Sequence, residues 1–228
     1  MVLKLFGSIL SPSLQLVFVI CEELNISYEL HPVDLRDRTL LHSESHLQYQ
    51  PFAQVPYLID TLGPSDSDVL VLHESRAMAK YVAVKYGGER GKRLVPDWTD
   101  LVRMAKFEEG GSVEQNYWTP AALGIAYEFW KPLIWDTPGD EAVKEKHIAL
   151  LHKRLDSIER ILSKQKYMGG DARILELTLV DFSYLPLGRT LTVSFGLNVF
   201  DVPSRPHVAK WWEEISSLPS WKAVVAMM

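Results

Sequence analysis

A small mixed α/β domain followed by an all-α domain is the fold class this sequence predicts, and three observations predict it. The N-terminal part alternates short apolar strand patterns with amphipathic helical runs. A glycine-rich, charged and non-periodic stretch then runs from Gly87 to Pro96. Beyond it only helical periodicity recurs. The expected order is βαβαββα over residues 1–86, a linker over residues 87–97 and helices over residues 98–228.

The first strand is read at Val2 to Phe6, and Ser13 to Leu24 carries an apolar helical run of Leu16, Val17, Val19, Ile20 and Leu24. A second strand follows at Ser27 to Val33, then a helix near Ser43 to Gln50. Two strands, Tyr57 to Asp60 and Val69 to Leu72, form a hairpin around a long polar loop, Thr61 to Asp68, which is expected to project into solvent. Glu74-Ser75 opens a helix patterned by Ala77, Met78, Tyr81, Val82, Val84 and Tyr86. A β-α-β unit followed by a hairpin and a helix implies a mixed sheet covered by helices.

Past the linker, helices are expected at Trp98 to about Glu128, Asp140 to about Lys164, Leu179 to about Phe195 and Pro206 to Ser217, with a short tail from Ser220. One of them has a sharp start signal. Thr178-Leu179-Val180-Asp181 is a capping box, with Leu177 and Phe182 placed as a hydrophobic staple, so Asp181 is read as a structural acid.

Composition narrows the function classes. The 228 residues carry a net charge of −5 with no basic block, which argues against nucleic acid and anionic membranes as partners. No apolar run reaches membrane-spanning length, and Met1-Val2-Leu3-Lys4 leads into a strand pattern rather than a signal peptide, so a cytoplasmic location is expected. Cys21, the single cysteine, sits in the apolar run of the first helix and reads as a buried structural thiol. The seven histidines form no convincing metal-ligand spacing, and no nucleophile elbow, phosphate loop or Cys-x-x-Cys is present.

Three short stretches carry the chemistry. In Pro51-Phe52-Ala53-Gln54-Val55-Pro56 the last proline stands at the start of a strand. A cis Pro56 would turn the Val55 N–H and C=O outward to pair with an extended peptide, whereas a trans Pro56 would make an ordinary strand entry. In His73-Glu74-Ser75-Arg76-Ala77 a carboxylate and a hydroxyl stand at a helix N-terminus. They either hold a small zwitterion or simply cap the helix. A third stretch, Gly7 to Ser13, joins the first strand to the first helix at the sheet edge where open α/β folds bind ligands, with Ser11 as N-cap and Pro12 at N1. A hydroxyl there can donate to an anion at the helix end. Tyr117-Trp118 and Phe129-Trp130 are core residues, or the first pair walls an apolar pocket.

Together Ser11, Phe52-Ala53-Gln54-Val55-Pro56, Glu74-Ser75-Arg76-Ala77 and the Thr178 to Asp181 box, in this order and spacing, resemble a cytosolic glutathione transferase over nearly the whole chain. The start Met1 to Gly7 and Val33-Asp34-Leu35 are most similar to the phi class and its fungal relatives. The resemblance implies a thioredoxin-like first domain and an all-helical second one. It implies a cis Pro56, Val55 pairing with the glutathione backbone, Gln54 touching the same peptide, Glu74 and Ser75 holding its γ-glutamyl end, and Ser11 donating to the thiolate.

It further implies that glutathione is the co-substrate and that the protein is a homodimer, with Phe52 and Arg76 as interface residues; from the histidine spacing no metal is expected. Serine in place of cysteine favours conjugation of apolar electrophiles or hydroperoxide reduction. The second substrate is expected against Ile9, Leu10, Ser13, Tyr117 and Trp118. Phi proteins usually carry a His-Lys pair for the glycyl carboxylate. This chain has Leu40-Leu41-His42-Ser43, which leaves His42 or Arg38 for that task, and Ser13 is a second candidate donor to the thiolate. The alternatives are a non-catalytic carrier of aromatic or polyphenolic ligands and a regulatory protein derived from the same fold.

Overall fold

The computed structural model describes residues 3–63, 68–170 and 176–228. The first strand, β1 (Leu3–Gly7), leads into α1 (Pro12–Leu24) and β2 (Tyr28–Pro32). Two single-turn helices follow, α2 (Arg38–Leu41) and α3 (Glu44–Leu47), then β3 (Tyr57–Thr61), β4 (Val69–His73) and α4 (Ser75–Tyr86). The strands order as β2-β1-β3-β4, with β1 parallel to β2 and antiparallel to β3, and β3 antiparallel to β4. Thus Leu5 lies between Leu30 and Leu58, and the thioredoxin-like βαβ-plus-hairpin order is observed. The tip of the expected hairpin loop, Pro64 to Ser67, and the start of the first strand at Val2 lie outside the described residues.

Local chemistry sets the ends of these elements. Proline at N1 starts α1, and Asn25 in the left-handed region stops it by donating to the Cys21 and Glu22 carbonyls. The helix expected over Ser43 to Gln50 is shorter, one turn capped by Ser43, and past it the Tyr49 and Gln50 N–H groups both converge on the His46 carbonyl at 3.0 Å. An unforeseen turn, α2, is capped by the Asp37 carboxylate, which accepts from the Leu40 N–H at 2.8 Å.

Two compact units divide the chain: residues up to Gly91 together with Pro219–Met228, and Lys92–Leu218. The stretch expected to be a linker instead forms α5 (Gly88–Leu94), within which the units meet along the chain. The expected C-terminal tail is also helical, α12 (Pro219–Ala226). It packs on α1 with Trp221 and Val224 buried, and its Ser220 hydroxyl donates to Glu23 at 2.6 Å.

The second unit contains α6 (Leu101–Val113), a π-helical turn at Glu114–Trp118, α7 (Thr119–Ile134), α8 (Glu141–Leu162), α9 (Leu179–Phe182), α10 (Leu185–Arg189), a second π-helical turn at Thr190–Ser194, and α11 (Pro206–Ser216). The first helix there starts at Leu101 rather than Trp98, because the Asp100 carboxylate caps it by accepting from the Arg103 N–H. The run expected from Leu179 to Phe195 is interrupted at Ser183 and Tyr184, just ahead of Pro186, which has no N–H for the Phe182 carbonyl and stands in the first turn of α10. At its start the capping box forms, and Asp181 is fully buried. Oδ1 accepts from the Met168 N–H at 2.8 Å and Trp211 Nε1 at 2.9 Å, while Oδ2 accepts from the Thr178 N–H and hydroxyl at 3.3 Å. Burial pushes its carboxyl up, against the pull of these donors. Asp181 is the structural acid that the sequence indicates.

Candidate active site

Strand register brings three of the expected stretches to one edge of the sheet. Phe6 pairs with Tyr57, and Tyr57 with His73. The C-terminal end of β1, the N-terminal end of β3 and the C-terminal end of β4 therefore stand side by side, at the ~4.8 Å spacing of neighbouring strands. From these ends leave the loop to Ser11, the Gln54-Val55-Pro56 turn and Glu74-Ser75. At Gly7 a Cβ would press on Leu14 Cδ2 of α1 at 3.1 Å, while Val55 and Pro56 lie at ordinary contact distance beside it, 3.4 and 3.5 Å.

Ser11 is in N-cap position with extended backbone (φ −76°, ψ 118°) and is 7% exposed, yet its hydroxyl makes no capping hydrogen bond. Its backbone is occupied instead. The Ser11 N–H donates to the Ser8 carbonyl, and the Ser11 carbonyl accepts from Leu14 and Gln15 at 3.0 Å. The hydroxyl is thus available to a ligand at the head of α1. Ser13 lies half-buried one step into the helix, Ile9 is half-buried, and Leu10 is 66% exposed.

The Val55–Pro56 peptide is cis. Val55 lies outside the strand ladder, and none of the turn and loop hydrogen bonds among the described residues uses its N–H or carbonyl. A buried side chain that the sequence reading passed over fixes this turn. The Nε2 of His46 lies 2.8 Å from the Gln54 carbonyl, an acceptor only, so that nitrogen carries the proton. The His46 ring also stands edge-on to Tyr57, which stacks between Phe6 and Tyr49. Next to it, buried Gln50 accepts from the Phe52 N–H at 2.9 Å. The Gln54 side chain, on the other hand, is exposed.

Glu74 sits at φ 70°, ψ 104°, a conformation that costs a residue with a Cβ about 1–3 kcal/mol. Its carboxylate does not cap α4, so the simple capping alternative does not hold for this side chain. Exposed Glu74 and buried Ser75 instead begin a helix at whose N-terminus the N-cap side chain accepts no hydrogen bond. At its other half the same helix is tied to the sheet. Asp60 in β3, fully buried, accepts from Lys85 Nζ at 2.7 Å, the Tyr86 hydroxyl at 2.6 Å and the Tyr81 hydroxyl at 2.5 Å. Burial works to raise the Asp60 carboxyl, but hydrogen bonds from Lys85, Tyr81 and Tyr86 outweigh it and hold it below the usual range.

Arg38 and His42 come together on α2 and its C-cap, with a guanidinium nitrogen 3.3 Å from His42 Nε2. Both are exposed. Of the expected apolar wall, Tyr117 is 49% exposed with the Arg154 guanidinium 5.0 Å above its ring. Trp118 is a correction: it is fully buried, packed against Tyr184 and Phe200, and belongs to the core of the second unit rather than to a pocket wall. Successive positions along a helical turn point in different directions, which is why one faces out and the other in. Cys21 is buried as expected, its thiol pushed up to about 12 by burial and then by the Glu22 charge.

Comparison with known proteins agrees with this geometry. Residues 5–90 match the glutathione S-transferase N-terminal domain family, and residues 124–219 match the glutathione S-transferase C-terminal domain family. The chain is 37% identical over 226 residues to glutathione S-transferase 3 of Zea mays, covering 98% of this chain and 93% of that one. Among solved structures, poplar glutathione transferase F1 aligns with a TM-score of 0.82 at 28% identity, covering 100% of this chain and 98% of that one. Maize glutathione S-transferase I in complex with an atrazine glutathione conjugate aligns with a TM-score of 0.81 at 30% identity, with the same two coverages. Spanned by both domain families and matched along its length, the chain belongs to the glutathione S-transferase family, and within it groups with the phi class.

Proposed function

We propose that the chain transfers the thiolate of glutathione to apolar electrophiles, with Ser11 stabilising that thiolate. The observation that carries the reading is the register that sets Ser11, Val55 and Glu74-Ser75 at adjoining strand ends, each with polar groups that the fold leaves uncommitted. Glutathione then lies across the sheet edge. Its γ-glutamyl ammonium meets the Glu74 carboxylate, the adjacent carboxylate meets Ser75 and the first N–H groups of α4, and its cysteinyl backbone pairs with Val55. The Gln54 side chain borders the same peptide, and Arg38 with His42 receives the glycyl carboxylate.

A free thiol with pKa about 8.5 is only a few per cent ionised at neutral pH, and lowering it by about two units takes ~2.7 kcal/mol. One charge-assisted hydrogen bond contributes about 1.5–3 kcal/mol and a helix N-terminus about 0.3–1 kcal/mol, so Ser11 at the head of α1 is sufficient. At a substitution centre the thiolate pair forms the new C–S bond and the leaving group departs with the pair of the bond that breaks; at an isothiocyanate carbon the thiolate adds and the nitrogen takes a proton from solvent. Serine keeps its proton throughout.

Assays with 1-chloro-2,4-dinitrobenzene, an isothiocyanate and cumene hydroperoxide test the proposal. Turnover of at least one is expected; glutathione binding with no turnover of any would overturn it for these substrate classes. Ser11→Ala should lower kcat roughly 10- to 100-fold, the worth of one charge-assisted hydrogen bond, and leave ligand affinity almost unchanged. A homodimer is part of the same proposal. Phe52, 65% exposed, and the exposed run of Trp98, Leu101 and Val102 supply apolar surface for it.

A further inference from the structure

We propose that Gln15 is a positioning residue for this reaction, holding the Ser8–Ser11 loop so that the Ser11 hydroxyl stays directed at the glutathione thiolate. The inference rests on the role proposed for Ser11. Gln15 is a primary amide only 4% exposed on an otherwise apolar helix face, and such a group is buried only where its hydrogen bonds are met. Its side-chain Nε2 donates to the Ile9 carbonyl at 2.9 Å, while its backbone N–H donates to the Ser11 carbonyl at 3.0 Å. One residue thus grips both ends of the Ile9–Ser11 segment from within α1.

The Leu14 N–H also donates to the Ser11 carbonyl, at 3.0 Å, but this is the ordinary first bond of the helix and does not reach Ile9 or Leu10; the other bonds of the loop are internal to it. The Ser11 N–H donates to the Ser8 carbonyl at 2.9 Å, and the Leu10 N–H to Ser8 Oγ at 3.3 Å. Neither fixes the loop relative to the helix. Among the described residues, the Gln15 amide makes the side-chain hydrogen bond that joins loop to helix. Nε2 also lies 3.4 Å from the Met228 thioether, which backs the amide from the far side. Because the Ser11 hydroxyl is held by no capping bond, its direction follows from where this loop backbone is placed. Misplacing a reacting group by about 1 Å can cost 10²-fold in rate.

Gln15→Met keeps the length of the side chain and removes the donor, and Gln15→Glu puts an acceptor where the donor was. Both are compared with Ser11→Ala and the parent chain. The readouts are the pH titration of thiolate absorbance in the bound glutathione, kcat and KM for glutathione, and the melting curve. Gln15→Met is expected to raise the apparent pKa of the bound thiol by about half to one unit and lower kcat about tenfold, with KM for glutathione changed less than about threefold. Gln15→Glu should show the same pattern, more strongly. A folded Gln15→Met or Gln15→Glu protein with the parent's thiol titration and kcat, while Ser11→Ala shifts both, overturns the inference and leaves the Ser11 role standing. A Ser11→Ala protein with an unshifted thiol overturns both.

Discussion

His46 and Glu74 show at the scale of single residues how this site is held. His46 donates to the Gln54 carbonyl from a buried position, so replacing it with phenylalanine keeps the contact with Tyr57 and removes only the hydrogen bond. The Gln54-Val55 segment is then less well ordered. KM for glutathione in His46→Phe should rise about three- to tenfold, the equivalent of a hydrogen bond's typical ~1 kcal/mol. Isothermal titration of glutathione checks this, and an unchanged affinity would show that the turn holds itself. Glu74 presents the opposite balance, since a side chain with a Cβ is kept at φ 70° where glycine would sit without strain. Glu74→Gly should leave the melting temperature equal or raised while glutathione affinity falls at least about tenfold. A fall in both would show that Glu74 serves the fold. Neither His46 nor Gln15 stands out in the sequence, because each is recognised by a carbonyl several residues away along an irregular loop, and no local pattern encodes that meeting.

At the scale of elements, the tie between β3 and α4 matters because the same helix presents Ser75 at its start and Tyr81, Lys85 and Tyr86 to Asp60 further along. The Asp60 carboxyl is held below its ordinary value in the fold. Its contribution to stability is therefore present above the unfolded-state pKa of about 3.9, and is lost as pH falls through the lower folded value. Asp60→Asn should cost about 2–4 kcal/mol at neutral pH and flatten the acid limb of the stability curve below about pH 4. Urea unfolding at a series of pH values measures both, and an acid limb as steep as the parent's would place the titrating group elsewhere. Elements with strong periodicity are legible in the sequence: the four strands, α1, α4, α8 and α11 lie within a few residues of their expected positions. The short ones are not. Helices α2, α5 and α12 are each too brief to repeat a pattern; what marks α2 is its Asp37 cap, and what holds α12 is the face of α1. At the candidate site the residue types and their order are legible, whereas their convergence depends on strand register, which fixes Phe6 against Tyr57 and Tyr57 against His73.

For the molecule as a whole, the chain returns to its first unit at its end. Pro219–Met228 belongs with the residues up to Gly91, so that unit is built from both ends of the sequence. On α1 the returning helix buries Trp221, 3% exposed, and Val224, fully buried, and just past its end Met228 meets the Gln15 amide. Burying two such side chains is worth about 3–6 kcal/mol, a large part of the stability of a domain of this size. The core of Lys92–Leu218 is formed by its own helices, with Trp118, Tyr184 and Phe200 at its centre and Asp181 bonded within it. Removing residues 219–228 should therefore act unequally on the two units. Hydrogen exchange of the truncated chain is expected to show lost protection in β1, α1 and β3, with α7, α8 and α11 retaining theirs. Glutathione binding should be lost at the temperature where the first unit opens rather than where the second does. Equal loss of protection in both units would mean that they unfold as one cooperative body, and that the closing helix stabilises the whole chain rather than the unit it completes.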